Sequence, residues 1–126
     1  MYKAGKIIRM QIAAHRFGLS GAHLLDDLTA VSLQCNGIGA AWFPKWFRWL
    51  ITVLCPDHEL AACIHDRRYS IGGSEQDRII ADTEFLTNIE LIALNHWWLR
   101  RWIDRRIGIR MYKLLRFGGK FAWRAE

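Results

Sequence analysis

Gly72-Gly73 separates two stretches with helical character, roughly Asp57 to Tyr69 and Glu75 to Asn95. Adjacent glycines break a helix, because they lose the most backbone entropy on ordering and accept turn dihedrals that other residues resist. A turn this short folds the chain back on itself, so the two helices are expected to be antiparallel. Ser74 with Asp77 three residues on resembles a helix start, although Asp is not the usual capping-box partner. Ile79, Ile80, Phe85, Leu86, Ile89 and Ile92 are expected to supply the apolar side of the second helix.

The rest of the chain fits the same class. Residues 1–21 are basic and mixed, and Gly18 and Gly21 interrupt any long helix. Residues 22–34 place Leu24, Leu25, Leu28 and Val31 at helical spacing, which predicts a short amphipathic helix. It ends at Asn36-Gly37-Ile38-Gly39, where the glycines mark unusual dihedrals or close approach by a ligand. In residues 40–54, Pro44 suits a first helical turn, and a helix there puts Trp42, Trp46 and Trp49 on one face. That face serves the core or a lipid surface. Pro56 ends the segment. Residues 96–126 alternate Trp, Leu and Ile with arginine and predict one or two more helices. Strand-like alternation is weak throughout, so the fold class is all-α.

With 126 residues the chain has room for one core, so a single domain is expected. Its 52% hydrophobic content, without repeats or low-complexity tracts, excludes an intrinsically disordered class. The best candidate for a bilayer span, Trp46 to Cys55, is too short and is broken by Arg48. Lys3, Lys6 and Arg9 are not followed by the apolar core and cleavage site of a conventional secretory signal, so none is expected. Cys35, Cys55 and Cys63 form an odd set, which fits a reducing compartment and cytoplasmic synthesis. The net charge of +6 favours polyanions, either nucleic acid or an anionic membrane surface. Seven tryptophans tip that choice toward lipid, since indole favours sites with one apolar and one wet side.

The chemistry concentrates in Glu59 to Tyr69. On a helix His65 and Tyr69 are four apart and share a face, and Asp66 and Tyr69 are also neighbours. Across an antiparallel pair, Asp82 falls at about the level of His65. A histidine oriented by a buried carboxylate is a general base, and Tyr69 can hold the carboxylate in turn. Asp66 points about 100° away from His65 around the helix. With carbonyls of the Gly37-Ile38-Gly39 loop it makes a set of hard oxygen ligands, which suits calcium. A metal beside a histidine base is a site for ester hydrolysis.

These residues resemble the phospholipase A2 family, in particular its disulfide-free viral and phage-type members. The helix motif of an acidic residue, two small positions, His-Asp and a Tyr four after the His corresponds to Glu59, Ala61, Ala62, His65, Asp66 and Tyr69. The Gly-x-Gly calcium loop corresponds to Gly37 and Gly39, and Ala81-Asp82-x-x-Phe85 to the second-helix aspartate motif. The resemblance covers roughly residues 36–90. It implies His65 as general base, Asp82 as its orienting partner and Tyr69 hydrogen-bonded to Asp82. It implies calcium on Asp66 and on the carbonyls of Cys35, Gly37 and Gly39, with the Gly37 N–H in the oxyanion hole. It implies hydrolysis of the sn-2 ester of phospholipids. The chain departs from the motif at Cys35, where an aromatic is usual, at Glu59, where aspartate is usual, and in a longer Trp-rich insertion before His65.

Trp42, Phe43, Trp46, Arg100 and Arg101 are the candidates for touching a membrane, preferably an anionic one. Cys55, His58, Cys63 and His65 also read as a zinc set: Cys55-x-x-His58 has ligand spacing, but Cys63-x-His65 would splay apart on a helix. Two other functional classes remain. A phage-particle component could keep the scaffold without turnover, associating with itself or with structural partners. The arginine-rich stretch after Trp97 could bind nucleic acid, which is the less favoured partner because no recognised nucleic-acid motif accompanies it.

Overall fold

The structure is a computed structural model, and it describes residues 3–35, 43–119 and 123. These residues form α1 (Ala4–Phe17), a 3-10 turn (Ala22–Leu25), α2 (Leu28–Gln34), α3 (Lys45–Leu54), α4 (His58–Ile71), α5 (Glu75–Leu94) and α6 (Trp98–Gly118). The class is all-α, with six α-helices and no strand among the described residues. None of these helices is long and apolar enough to cross a membrane. The expected calcium loop, Gly37 and Gly39, and also Trp42, lie outside the described residues.

The helix ends follow local chemistry. α1 stops at Gly18, whose φ of 69° is left-handed and whose N–H reaches the last-turn carbonyls. The single helix predicted over 22–34 is two elements. Asp27 adopts an extended backbone and its side chain accepts the Ala30 N–H at 3.0 Å, which starts α2 afresh. Leu24, Leu25 and Val31 are still buried, whereas Leu28 is exposed. At the start of α5 the Asp77 N–H donates to Ser74 Oγ and the Ser74 N–H donates to Asp77 Oδ2, so Asp completes a capping box despite its shorter side chain. Gly73 makes room for it: its φ is 133°, and a Cβ there would stand 2.4 Å from Asp77 Oδ2.

The core is built around α4, α5 and α6. α5 and α6 pack antiparallel, with ion pairs Arg105–Glu90 and Arg116–Asp82 stepping in opposite directions along the two helices. Ile64, Phe85, Ile89, Ile92 and Met111 are fully or almost fully buried between the helices. Ile79 and Ile80, expected on the apolar side of α5, are partly exposed, because the buried stripe runs through Ala81, Phe85, Ile89 and Ile92. Residues 98–118 form one continuous helix, and Gly108 at its centre lies against Ile89.

The cysteines correct the expectation of free thiols. Cys35 at the end of α2 and Cys63 on α4 form a disulfide, and only Cys55 is a free thiol. This pairing counts modestly against a reducing compartment. An odd count hides one pair plus one free residue. The pair exists because α2 packs on α4 and brings the two Cα atoms to 5.2 Å, a contact that a separation of 28 residues does not announce.

Two outcomes follow from this packing. A Cβ at position 108 would meet Ile89 Cγ2 at 2.3 Å, inside the α5–α6 contact. Gly108→Ala is expected to cost about 1–3 kcal/mol by overpacking, read as a lower urea midpoint. Thiol titration of the denatured, unreduced chain should find Cys55 alone, and reduction should expose all three cysteines. Reduction should also lower stability by about 3–4 kcal/mol, the loop-closure value for a crosslink of this span.

Candidate functional site

α4 presents His65 and Tyr69 on one face, and their rings stack at a centroid distance of 4.2 Å. α5 brings Asp82 to them from its second turn. His65 Nε2 lies 2.7 Å from Asp82 Oδ1, and the Tyr69 hydroxyl donates to the same oxygen at 2.7 Å. His65 is only 4% exposed, Asp82 is fully buried, and Phe85 packs edge-on against the imidazole. The levels expected from the Gly-Gly turn therefore coincide, and the three residues meet.

The other carboxylate oxygen has partners that the sequence reading did not assign. Arg116 of α6 donates to Asp82 Oδ2 at 2.6 Å, and Arg78 Nη1 stands 3.6 Å from it, one turn back on α5. Arg78 is signalled by its i, i+4 spacing to Asp82. Arg116 is 34 residues away, and only the α5–α6 pairing reveals it. Trp123 closes the far side: its indole N–H donates to the Gly73 carbonyl at 3.1 Å and its ring meets Tyr69 edge-on. Gly119 lies so close that a Cβ there would come within 2.5 Å of the Tyr69 hydroxyl.

Electrostatics fix the protonation pattern. Burial pushes the Asp82 carboxyl up, but bonds from His65, Tyr69 and Arg116 outweigh it and hold the group below the usual carboxylate range. Burial, and then the bond to Asp82, push the Tyr69 phenol up, so Tyr69 stays a donor. An ionised Asp82 only accepts. His65 Nε2 therefore carries the hydrogen, and in the neutral ring Nδ1 is the basic nitrogen.

The remaining expected residues divide. Asp66 is half-buried on α4 beside His65. Cys35 is buried, and its disulfide ties the chain just before the glycine loop to α4 within a turn of His65. Trp46 and Trp49 point outward, Trp46 at 69% exposure. Phe43 does not: it is buried against Phe47 at the entry to α3, so it belongs to the core and not to a membrane face. Arg101 is occupied at the end of α5, where it donates to the carbonyls of Ala93, Leu94 and His96. Arg100 pairs with Asp104 at 3.5 Å. The aromatic surface of this region is instead Trp97, Trp98 and Trp102, all exposed, with the Arg106 guanidinium 5.1 Å above the Trp102 ring.

No protein-family model matches the chain, and neither the curated proteins nor the solved structures contain a match to it.

The Asp82 network makes a pH prediction. Its folded value lies below its unfolded value, about 3.9. Its contribution is therefore fully present above that pH and is lost as pH falls through the folded value. Asp82→Asn should lose about 3 kcal/mol at neutral pH, since it leaves the arginines without their anion. The gap from the parent protein should narrow in urea melts below about pH 3.9.

Proposed function

We propose that the chain is a calcium-dependent acyl-ester hydrolase of the phospholipase A2 type, acting on phospholipid at a membrane surface. The observation that carries this reading is the pair of 2.7 Å bonds that Asp82 Oδ1 accepts from His65 and Tyr69 inside a buried site. It is supported by the sequence motifs and by Asp66 next to the histidine, whereas the Cys35–Cys63 disulfide departs from the disulfide-free members that the sequence resembles. Five exposed tryptophans (46, 49, 97, 98 and 102) and a net charge of +6 suit a lipid interface with anionic headgroups.

The chain's residues act as follows. Asp82 holds the Nε2–H, which fixes the tautomer and the ring plane. Nδ1 of His65 removes a proton from the water that attacks the sn-2 ester carbonyl. The imidazolium so formed is stabilised by Asp82, and it returns the proton to the departing glycerol oxygen. Tyr69, Arg78 and Arg116 keep Asp82 ionised and in place while the charge on the ring changes. The resemblance assigns calcium to hard oxygen donors: Asp66 would hold it with the Cys35 carbonyl and with carbonyls of Gly37 and Gly39, which lie outside the described residues, and the Gly37 N–H would serve the oxyanion. The ion, when bound, supplies Lewis-acid polarisation of the ester carbonyl.

His65→Gln should lower release of fatty acid from anionic phospholipid vesicles by about 10²–10⁴-fold, the value of a general base. Asp66→Asn and EDTA should each remove the activity, and excess calcium should restore it only after EDTA. Undiminished turnover by His65→Gln overturns the mechanism.

One observation favours a second reading. The depth of His65 and the bond from Arg116 to Asp82 suit a scaffold that keeps this network for stability alone, as a non-catalytic component of a phage particle would. That reading expects no fatty acid at any calcium concentration, together with a stability loss in His65→Gln.

A further inference from the structure

A second polar cluster lies at the junction of α3, α4 and α6, away from the His65 network. Cys55 ends α3, His58 begins α4, and Asp104 sits on the second turn of α6. All three are buried, and one ligand-capable atom from each lies within 4.8 Å of the others. One buried ligand-capable atom, His58 Nδ1, has no hydrogen-bond partner, whereas Asp104 Oδ1 is met by the Arg100 guanidinium at 3.5 Å. Native interiors rarely leave a buried ring nitrogen unsatisfied, so His58 Nδ1 points to an absent bound species.

The surrounding bonds hold these groups in place. The ring of His58 meets the backbone carbonyl of Asp104 through Nε2 at 3.0 Å. A carbonyl only accepts, so Nε2 carries the hydrogen and the buried, unpartnered Nδ1 keeps a free lone pair. His96 Nδ1 binds Asp104 Oδ2, and Oδ1 faces the Arg100 guanidinium at 3.5 Å, so the carboxylate is held from two sides. His96 Nε2 is in turn 3.4 Å from Asp57. Metal sites use second partners of this kind to orient their ligands.

We propose that Cys55 Sγ, His58 Nδ1 and a carboxylate oxygen of Asp104 form a structural site for one zinc-class divalent transition-metal ion. The Cys-x-x-His spacing suits such a site, and Asp104 of α6 replaces the second Cys-His pair suggested by the sequence. Cys63 is taken by its disulfide and His65 by Asp82, so neither takes part. Thiolate and imidazole are borderline-soft ligands, which favours zinc and disfavours the hard calcium ion. In a tetrahedral zinc site the ligand atoms stand about 3.3–3.6 Å apart, so the cluster closes slightly around the ion. Binding releases the thiol proton to solvent and forms the sulfur–metal bond. One thiolate and one carboxylate then neutralise the divalent charge, and water completes the tetrahedron. Arg100 stands 3.5 Å from Asp104 Oδ1, and its charge opposes the ion.

The test uses the full chain, chelator-stripped and unreduced, so that Cys55 is the free thiol. Cobalt(II) should bind one per chain, with a thiolate-to-cobalt charge-transfer band and the visible bands of a tetrahedral centre. Zinc should displace it and calcium should not. Zinc should also raise the melting temperature of the parent protein. Cys55→Ser, checked for its fold by circular dichroism, should lose the charge-transfer band. His96→Ala should keep the band but weaken cobalt binding by about 10–100-fold, as expected for a positioning residue. The proposal is overturned by the absence of the band in the parent protein, by its survival in Cys55→Ser, or by an unchanged melting temperature in zinc. None of these readouts depends on hydrolysis or calcium, so failure of the proposed activity leaves this test intact.

Discussion

A fully buried carboxylate dictates the arrangement of half this protein. Desolvating the Asp82 charge costs several kcal/mol unless partners replace water. The replacements come from three helices: His65 and Tyr69 from α4, Arg78 from α5 itself and Arg116 from α6. These helices cannot shift independently without stripping a partner from the charge. A requirement of burial thereby becomes a requirement of geometry, and it fixes the imidazole in one tautomer and one plane. In the proposed mechanism that imidazole is a pre-organised base.

The parts of this arrangement legible in the sequence are those set by short-range rules. Gly72-Gly73 announces the reversal, and helical spacing puts His65 and Tyr69 on one face. The count of turns from either side of the reversal then brings Asp82 level with His65. Each step uses only helix geometry and a turn. Arg116, the Cys35–Cys63 pair and the partnership of Asp104 with Cys55 and His58 were not legible in the same way. All three depend on how α2 and α6 dock, and docking is decided by side-chain packing summed over many residues. The break at Asp27 failed for a different reason. A run of leucines at helical spacing outweighed a capping residue that was visible in the sequence.

The tryptophans divide along the same line. Periodicity correctly grouped Trp46 and Trp49, but it could not say which way α3 faces. Burial of Phe47 and Ile51 turns the tryptophans outward. The same logic removes Phe43 from the surface, since it stacks with Phe47 at the helix entry. The arginines expected to accompany the aromatics are largely spent within the fold: Arg101 caps α5, Arg105 pairs with Glu90, and Arg100 faces Asp104. Net charge is therefore a poor guide to where an anionic surface would be met.

α4 shows why so many polar devices gather in one small domain. Residues from Leu60 to His65 are buried in succession, so the helix has neighbours on nearly every side. A helix enclosed in this way cannot send its polar side chains to water, and each must find a partner within the protein. The start of α4 meets this demand with the His58–Asp104 contact and its centre accommodates Cys63 in a disulfide; its last turns use the Asp82 network. The three devices join α4 to different neighbours: α6, α2 and α5. The central helix is thus held in register at three levels, and the same chemistry that satisfies its polar groups fixes Cys35 two residues from His65 along α4, through Cys63.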